Sequence, residues 1–121
     1  MRVAREFGVA AQKDACAVGV WTEDPPGSGT LAKLCAIGVR VRRGVTMHGL
    51  ALNVATDLSY FNLIVPCGLA GRPVTSLRNL LGGRAAKVDA VKPILVRALE
   101  NSITQPSPAE SDPAPRCATP R

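Results

Sequence analysis

The sequence predicts an α+β domain over residues 1–104, a small antiparallel sheet with helices packed on it, followed by a disordered tail over residues 105–121. Short apolar segments rich in β-branched residues lie on both sides of Gly44, which is typical of paired strands. Apolar residues at helical spacing follow Asp89. The tail holds five of the ten prolines and almost no large apolar side chains, as disordered segments do. Hydrophobic residues make up 46% of the chain and aromatic residues only 3%, so the core must be mainly aliphatic.

The strands are predicted at residues 19–22, 34–41 and 45–54, with a Pro- and Gly-rich loop at 23–29. A two-residue turn at Arg43 and Gly44 would pair Arg42 with Val45. The same register then gives the pairs Ala36–Ala51, Ile37–Leu50 and Gly38–Gly49. A bulge at the turn would shift this register by one residue. Facing glycines in a hairpin indicate a place where a ligand or another backbone comes close, although strained packing alone would also explain them.

Three helices are predicted after the strands. Asp57 can cap a short helix through Leu58, Phe61 and Leu63, which Pro66 ends. Residues 74–80 form the second candidate. Asp89 can cap a third, with Pro93 near its start, where a missing N–H has little effect. The apolar face of this third helix follows the i, i+3, i+4, i+7, i+8 pattern, in Val91, Ile94, Leu95, Ala98 and Leu99.

Charge and composition limit the partners. The net charge of +6 favours an acidic partner, but the aromatic residues that stack nucleic-acid bases are too few for a nucleic-acid partner. We expect no membrane partner, because no apolar stretch reaches about 18 residues, and the amino terminus has no signal-like apolar region. The cysteines at positions 16, 35, 67 and 117 form no Cys-x-x-Cys pair and His48 is the only histidine, so we expect no metal site. Widely spaced thiols without a secretion signal indicate a reducing compartment.

Three residues are candidates for chemistry. Cys67, between Pro66 and Gly68, is expected on a sharp exposed bend, although free cysteine often serves as a buried apolar filler. Lys33 begins an apolar run; it is either an exposed edge charge or, beside a cysteine, a group that favours the thiolate and carries a proton. His48 is the alternative base for Cys67, or a hydrogen-bonded structural residue.

A family resemblance rests on sequence blocks that occur in order along the chain. The blocks begin at Gly19-Val20-Trp21 and continue through residues 33–39, 48–54 and 56–58 to Pro66-Cys67-Gly68 and residues 74–77. The lysine and the cysteine are 34 residues apart, as is the catalytic pair of the family. Over about residues 7–100 the sequence resembles the carboxy-terminal half of the lipoyl(octanoyl) transferase family.

This resemblance implies a biotin/lipoate ligase-like (class II synthetase-like) fold and an acyltransferase without a cofactor. Cys67 would carry an octanoyl thioester, and Lys33 would activate it. Octanoyl-acyl carrier protein would be the donor, and the acceptors would be lysines on lipoyl domains of 2-oxoacid dehydrogenases and on the glycine cleavage H protein. The reaction would take place in the bacterial cytoplasm or, in a eukaryote, in mitochondria. The residues implied to line the acyl pocket are Ala36, Ile37, Gly38, Gly49, Leu50 and Ala51.

The family's glycine-rich Arg-Gly-Gly…Thr…His block, which forms the other wall of the acyl pocket, does not occur in this sequence. Two alternatives to the octanoyltransferase stay open. The first is an ATP-dependent ligase of the lipoate or biotin type, which needs no nucleophilic cysteine, and Cys67 at its spacing from Lys33 argues against it. The second, which the missing block supports, is an inactive truncated remnant that folds poorly or serves only in association.

Overall fold

In the computed structural model, which describes residues 1–65, 71–84 and 87–105, a three-stranded antiparallel sheet carries helices before and after it. The strands are β1 (Val20–Glu23), β2 (Leu31–Arg42) and β3 (Val45–Leu52), in the order β1-β2-β3. The helices are α1 (Arg2–Glu6), α2 (Leu77–Leu81) and α3 (Val88–Thr104). The predicted α+β class is confirmed. The sequence did not predict α1.

The hairpin of β2 and β3 has the predicted turn and register. Arg43 and Gly44 both take positive φ, 51° and 77°, which is the conformation of a two-residue turn whose twist matches that of the strands. Pairing runs without a slip from Arg42 opposite Val45 to Cys35 opposite Leu52. The alternative with a bulge at the turn is therefore wrong. Beyond Ala36 the residues of β2 are exposed, as are nearly all of those of β3, so the hairpin extends away from the core.

The core lies where the base of the hairpin meets α1, α2 and α3. Leu34 and Leu77 are fully buried at its centre, and Val91, near the start of α3, is buried beside them. The buried cluster consists of Val3, Ala4, Val9, Leu34, Val54, Leu77 and Val91. Ile94, Leu95 and Ala98 pack against it, which confirms most of the predicted apolar face of α3. Burial of these aliphatic side chains is the main stabilising contribution.

Two of the predicted helices differ from the structure in type or position. Residues Leu58–Leu63 form a 3₁₀ helix, and the predicted cap is confirmed because the backbone N–H of Ser59 donates to Asp57 over 3.0 Å. The helix predicted at 74–80 begins only at Leu77, where Ser76 is the cap. Val74 instead pairs with Lys33 as an isolated parallel bridge. The prediction was wrong there because an added sheet contact competes with helix propensity.

Helix α3 begins at Val88, with Lys87 at the cap position and no side-chain cap, so the prediction of Asp89 as the cap was wrong. Asp89 lies in the first turn, where its charge favours the helix dipole. Pro93 is deeper in the helix than predicted and removes one backbone bond to Asp89. The predicted tail from residue 106 onward, with Cys117, lies outside the described residues. None of the helices in the described ranges is long and apolar enough to cross a membrane.

Candidate active site

Lys33 lies inside the structure and not at an exposed edge. Only 6% of its surface is exposed. Its backbone N–H donates to the Pro73 carbonyl over 2.9 Å, and its own carbonyl accepts from the Thr75 N–H over 3.0 Å. Residues 73–75 therefore run beside Lys33 and form an isolated parallel bridge with it. The interpretation of Lys33 as an exposed edge charge is wrong.

The ammonium of Lys33 lies over an aromatic ring. Its Nζ is 4.9 Å from the ring centroid of Trp21, which is fully buried in β1. The indole N–H of Trp21 donates to the Ala17 carbonyl over 2.9 Å, which fixes the plane of the ring. Within the described residues, no carboxylate forms a salt bridge with Lys33. The face of an aromatic ring attracts an ammonium group but leaves the N–H groups of that ammonium able to donate to other partners.

Arg72 also lies over Trp21 and is anchored by Asp14. Its Cζ is 4.4 Å from the ring centroid, and its guanidinium forms an ion pair and hydrogen bond with the Asp14 carboxylate. Asp14 also accepts from the Cys16 N–H over 2.9 Å. Burial would raise the pKa of Asp14, but the hydrogen bonds from Arg72 and Cys16 outweigh burial and hold that pKa below its ordinary value. Asp14 is therefore charged at neutral pH and balances the charge of Arg72.

Gly19 provides the space for this arrangement. Its φ of +145° is disfavoured for any residue with a side chain. A Cβ at this position would lie 2.7 Å from the Cys35 carbonyl oxygen and 3.3 Å from Cε of Lys33. The glycine thus allows the lysine side chain to pass close to the backbone before β1.

The predicted nucleophile, Cys67, lies outside the described residues, as do Pro66 and Gly68. Residues on both sides of it in the sequence, Ile64 and Val65 before and Gly71 and Arg72 after, line a cavity of about 580 Å³. The predicted contact between Lys33 and Cys67 stays a prediction.

The other thiols differ from one another. Cys35 is buried and free, and burial raises the pKa of its thiol, an effect that Lys33 and other neighbours only partly offset. It is therefore protonated at neutral pH and a poor nucleophile. Cys16 is disulfide-bonded. No group of three or more metal-binding side chains occurs in the part of the chain that the structure describes.

The six residues expected to line an acyl pocket share one open cavity of about 550 Å³ on the hairpin, together with His48. Cross-strand partners lie on the same face of a sheet, so the pairs Ala36–Ala51 and Gly38–Gly49 share one face. That face has no side chain larger than a methyl group at these positions and exposes the backbone. We name these four residues the small-residue floor.

Ile37 and Leu50 form the alternate pair and lie on the opposite face. They line a second, apolar cavity of about 280 Å³ with Leu52 and, from α3, Leu95. All six predicted residues thus border the open cavity, but Ile37 and Leu50 also line the second cavity.

His48 is exposed on β3, opposite Val39, with a positive φ of 70°. Val39 is six residues from Lys33 along β2, so His48 lies roughly 20 Å along the strand from the lysine, at about 3.3 Å a residue. His48 therefore lies far from Lys33, and it lines the same open cavity as the small-residue floor.

A family model described as the lipoyl protein ligase A/B catalytic domain matches residues 1–100. The chain belongs to this family. The octanoyltransferase of Koribacter versatilis is 43% identical over 97 residues, which are 80% of this chain and 37% of that protein. The octanoyltransferase of Magnetococcus marinus is 46% identical over 100 residues, 83% of this chain and 43% of the relative. That of Sphingopyxis alaskensis is 46% identical over 104 residues, 86% of this chain and 46% of the relative.

The chain spans less than half of the length of these family members. That the shared part is their carboxy-terminal half stays a prediction. Family membership confirms the expected biotin/lipoate ligase-like fold class. The sequence analysis did not identify Asp14 and Arg72, because nothing local distinguishes them from surface charges. The tryptophan of the Gly19-Val20-Trp21 block was the available signal for a buried ring near the lysine.

Proposed function

We propose that this chain carries the nucleophile, the activating lysine and one wall of the acyl site of an octanoyltransferase. The observation that carries the proposal is Lys33, a nearly buried cation with no carboxylate partner among the described residues. Burying a charge without a counterion is costly, so such a residue points to a functional site. A cysteine thiolate, present during the reaction, is the missing counterion that we infer.

The proposed reaction has two acyl transfers. The Cys67 thiolate attacks the thioester carbonyl of octanoyl-acyl carrier protein, and the carrier thiol leaves with a proton from Lys33. The amine of a lipoyl-domain lysine then attacks the Cys67 thioester, forms the amide and releases the Cys67 thiolate. Lys33, neutral after the first transfer, takes the proton that the amine loses. The site thus alternates between two states. In one, the Cys67 thiolate lies beside the protonated Lys33; in the other, acylated Cys67 lies beside the neutral Lys33.

Several features support the pairing of Lys33 with Cys67. Cys67 is six residues before Pro73, whose carbonyl accepts a hydrogen bond from the Lys33 N–H. Six fully extended residues span about 20 Å, so the backbone of Cys67 lies no farther than that from Pro73. Arg72, even closer in sequence, packs on the same ring as Lys33.

The small-residue floor is the proposed wall of the acyl pocket. An octanoyl chain can lie against exposed backbone where larger side chains would exclude it, and nearby backbone N–H groups can stabilise an oxyanion. The net charge of +6 suits an acidic carrier protein as donor. The proposed donor and lipoyl-domain acceptors place the reaction in the bacterial cytoplasm or the mitochondrial matrix.

The test is an octanoylation assay with reductant present, read by intact mass and peptide mapping. We expect a hydroxylamine-labile octanoyl adduct on Cys67 that Cys67→Ala abolishes and Cys117→Ala leaves intact. Lys33→Met should reduce adduct formation at least tenfold, while Lys92→Met, an exposed lysine on α3, should not change it. An adduct that maps to Cys35, or that survives Cys67→Ala, would contradict the proposal.

An ATP-dependent ligase is the second candidate, because the matching family model covers both lipoyl protein ligases A and B. Such an enzyme activates its acid as an adenylate and needs no cysteine. Acyl transfer from free octanoate that requires ATP and survives Cys67→Ala would favour it. If neither assay gives product, and one of them gives product once the remaining part of a full-length relative is added, the chain acts only in association.

A further inference from the structure

We infer that Trp21, Arg72 and Asp14 act as positioning residues for Lys33, holding its ammonium by a ring face so that its charge stays available to a thiolate. The inference rests on the proposed role of Lys33. It adds three residues to the site, none of which belongs to the proposed catalytic pair. We name these residues the ring clamp.

The first point is that the ammonium of Lys33 contacts an aromatic ring and not a carboxylate. A carboxylate beside Lys33 would bind the ammonium directly and compete with the thiolate for it. The ring of Trp21, 4.9 Å from Nζ, attracts the cation without accepting strong hydrogen bonds. Because Trp21 is fully buried and its indole N–H is bonded to Ala17, the ring has a fixed orientation.

The second step concerns the other cation. Arg72 lies 4.4 Å from the same ring, where an unbalanced positive charge would repel Lys33. The Asp14 carboxylate balances that charge and holds the guanidinium against the ring. Asp14 is 58 residues from Arg72 in the sequence, so this pair also ties the chain after Cys67 to the segment before β1.

The third step is the path of the lysine side chain. Gly19 leaves the space through which Cε of Lys33 passes, and the backbone of Lys33 is bonded on one edge to Pro73 and Thr75. Both ends of the lysine are therefore fixed, the backbone by the bridge to residues 73–75 and the ammonium by the ring clamp.

The experiment measures the rate of Cys67 alkylation by iodoacetamide against pH in the reduced 121-residue chain, with peptide mapping to separate the four thiols. Only the thiolate reacts, so a loss of ammonium positioning moves the profile to higher pH. We expect Lys33→Met and Trp21→Leu each to lower the rate at pH 7 about tenfold, the effect of one pKa unit. Trp21→Phe, which keeps a weaker ring, should fall between wild type and Trp21→Leu. Arg72→Gln should lower the rate severalfold. Its matched control is Arg97→Gln, at an exposed position of α3, which should leave the rate unchanged.

Double variants separate positioning from a direct or merely structural effect. If the ring clamp acts through Lys33, Trp21→Phe and Arg72→Gln cause no further loss in a Lys33→Met background. Additive losses would show that these residues act on the thiolate directly or on the fold, and would overturn the inference. Should Trp21→Leu fail to fold, judged by circular dichroism, Trp21→Phe and Arg72→Gln decide the question.

The two proposals fail differently. If Lys33→Met leaves the alkylation profile of Cys67 unchanged, the proposed role of Lys33 is wrong and the inference falls with it. If Lys33→Met shifts the profile and the ring-clamp variants do not, only the inference is wrong.

Discussion

Replacing Gly19 by alanine should destabilise the protein by about 3 kcal/mol. The new Cβ would lie 2.7 Å from the Cys35 carbonyl oxygen, closer than van der Waals contact allows, at a φ of +145°. Backbone strain of this kind costs about 1–3 kcal/mol, and crowding in a packed region costs about 1–3 kcal/mol more. The total is a large share of the 5–15 kcal/mol that holds a typical domain folded, as a rough range.

Urea unfolding followed by circular dichroism measures the effect. With a urea dependence of about 1.5 kcal/mol per molar for a chain of this size, Gly19→Ala should lower the midpoint by about 2 M. Gly38→Ala is the matched control, because no atom lies within 4 Å of its added Cβ and its φ is not positive. We expect Gly38→Ala to change stability by less than about 1 kcal/mol. It should still impair octanoyl transfer, because its methyl group fills the small-residue floor. Equal midpoints for Gly19→Ala and wild type would refute this reasoning.

Three further predictions follow from the charges and the exposed surface. Asp14→Asn should lower stability by about 1–2 kcal/mol at pH 7, since it removes a charged partner of the half-buried Arg72. Because folding lowers the pKa of Asp14, this difference from wild type should be present above about pH 4 and decrease as the pH falls through the folded-state pKa; a difference that grows as the pH is lowered would contradict it. Cys35 should react with iodoacetamide only at alkaline pH, because burial raises its pKa, and fast labelling mapped to Cys35 at pH 7 would show otherwise. The hairpin should bind hydrophobic dye, since Val39 and Val41 are 60% and 65% exposed; replacing both by threonine should reduce dye fluorescence, and unchanged fluorescence would place the dye elsewhere.

The parts of the fold that the sequence predicted well are the ones decided by nearby residues. The register of the hairpin follows from the turn at Arg43 and Gly44, because a two-residue turn leaves only one pairing for the strands that leave it. The cap at Asp57 depends on a residue two positions away. Where a distant segment competes, local patterns were wrong. The sequence predicts a helix at Val74, but Val74 forms a bridge with the sheet, because one backbone edge of Lys33 is otherwise unpaired.

The site shows the same division. Spacing and sequence blocks pointed to Lys33 and to the facing glycines of the hairpin, and family membership follows from those blocks together. They did not indicate that Lys33 is buried or that Ile37 lies on the face opposite Gly38.

By itself, then, the sequence determined the strand register, the apolar face of α3 and the candidate residues, because each depends on short-range geometry or on residue type. Only the tertiary structure decided what surrounds the lysine. Arg72 lies 58 residues from Asp14 in the chain, and it meets Asp14 and Trp21 only when β1 and residues 72–75 both pack beside β2. A charge that looks solvated in the sequence becomes a buried cation there, since burial depends on packing between distant segments and not on neighbouring residues.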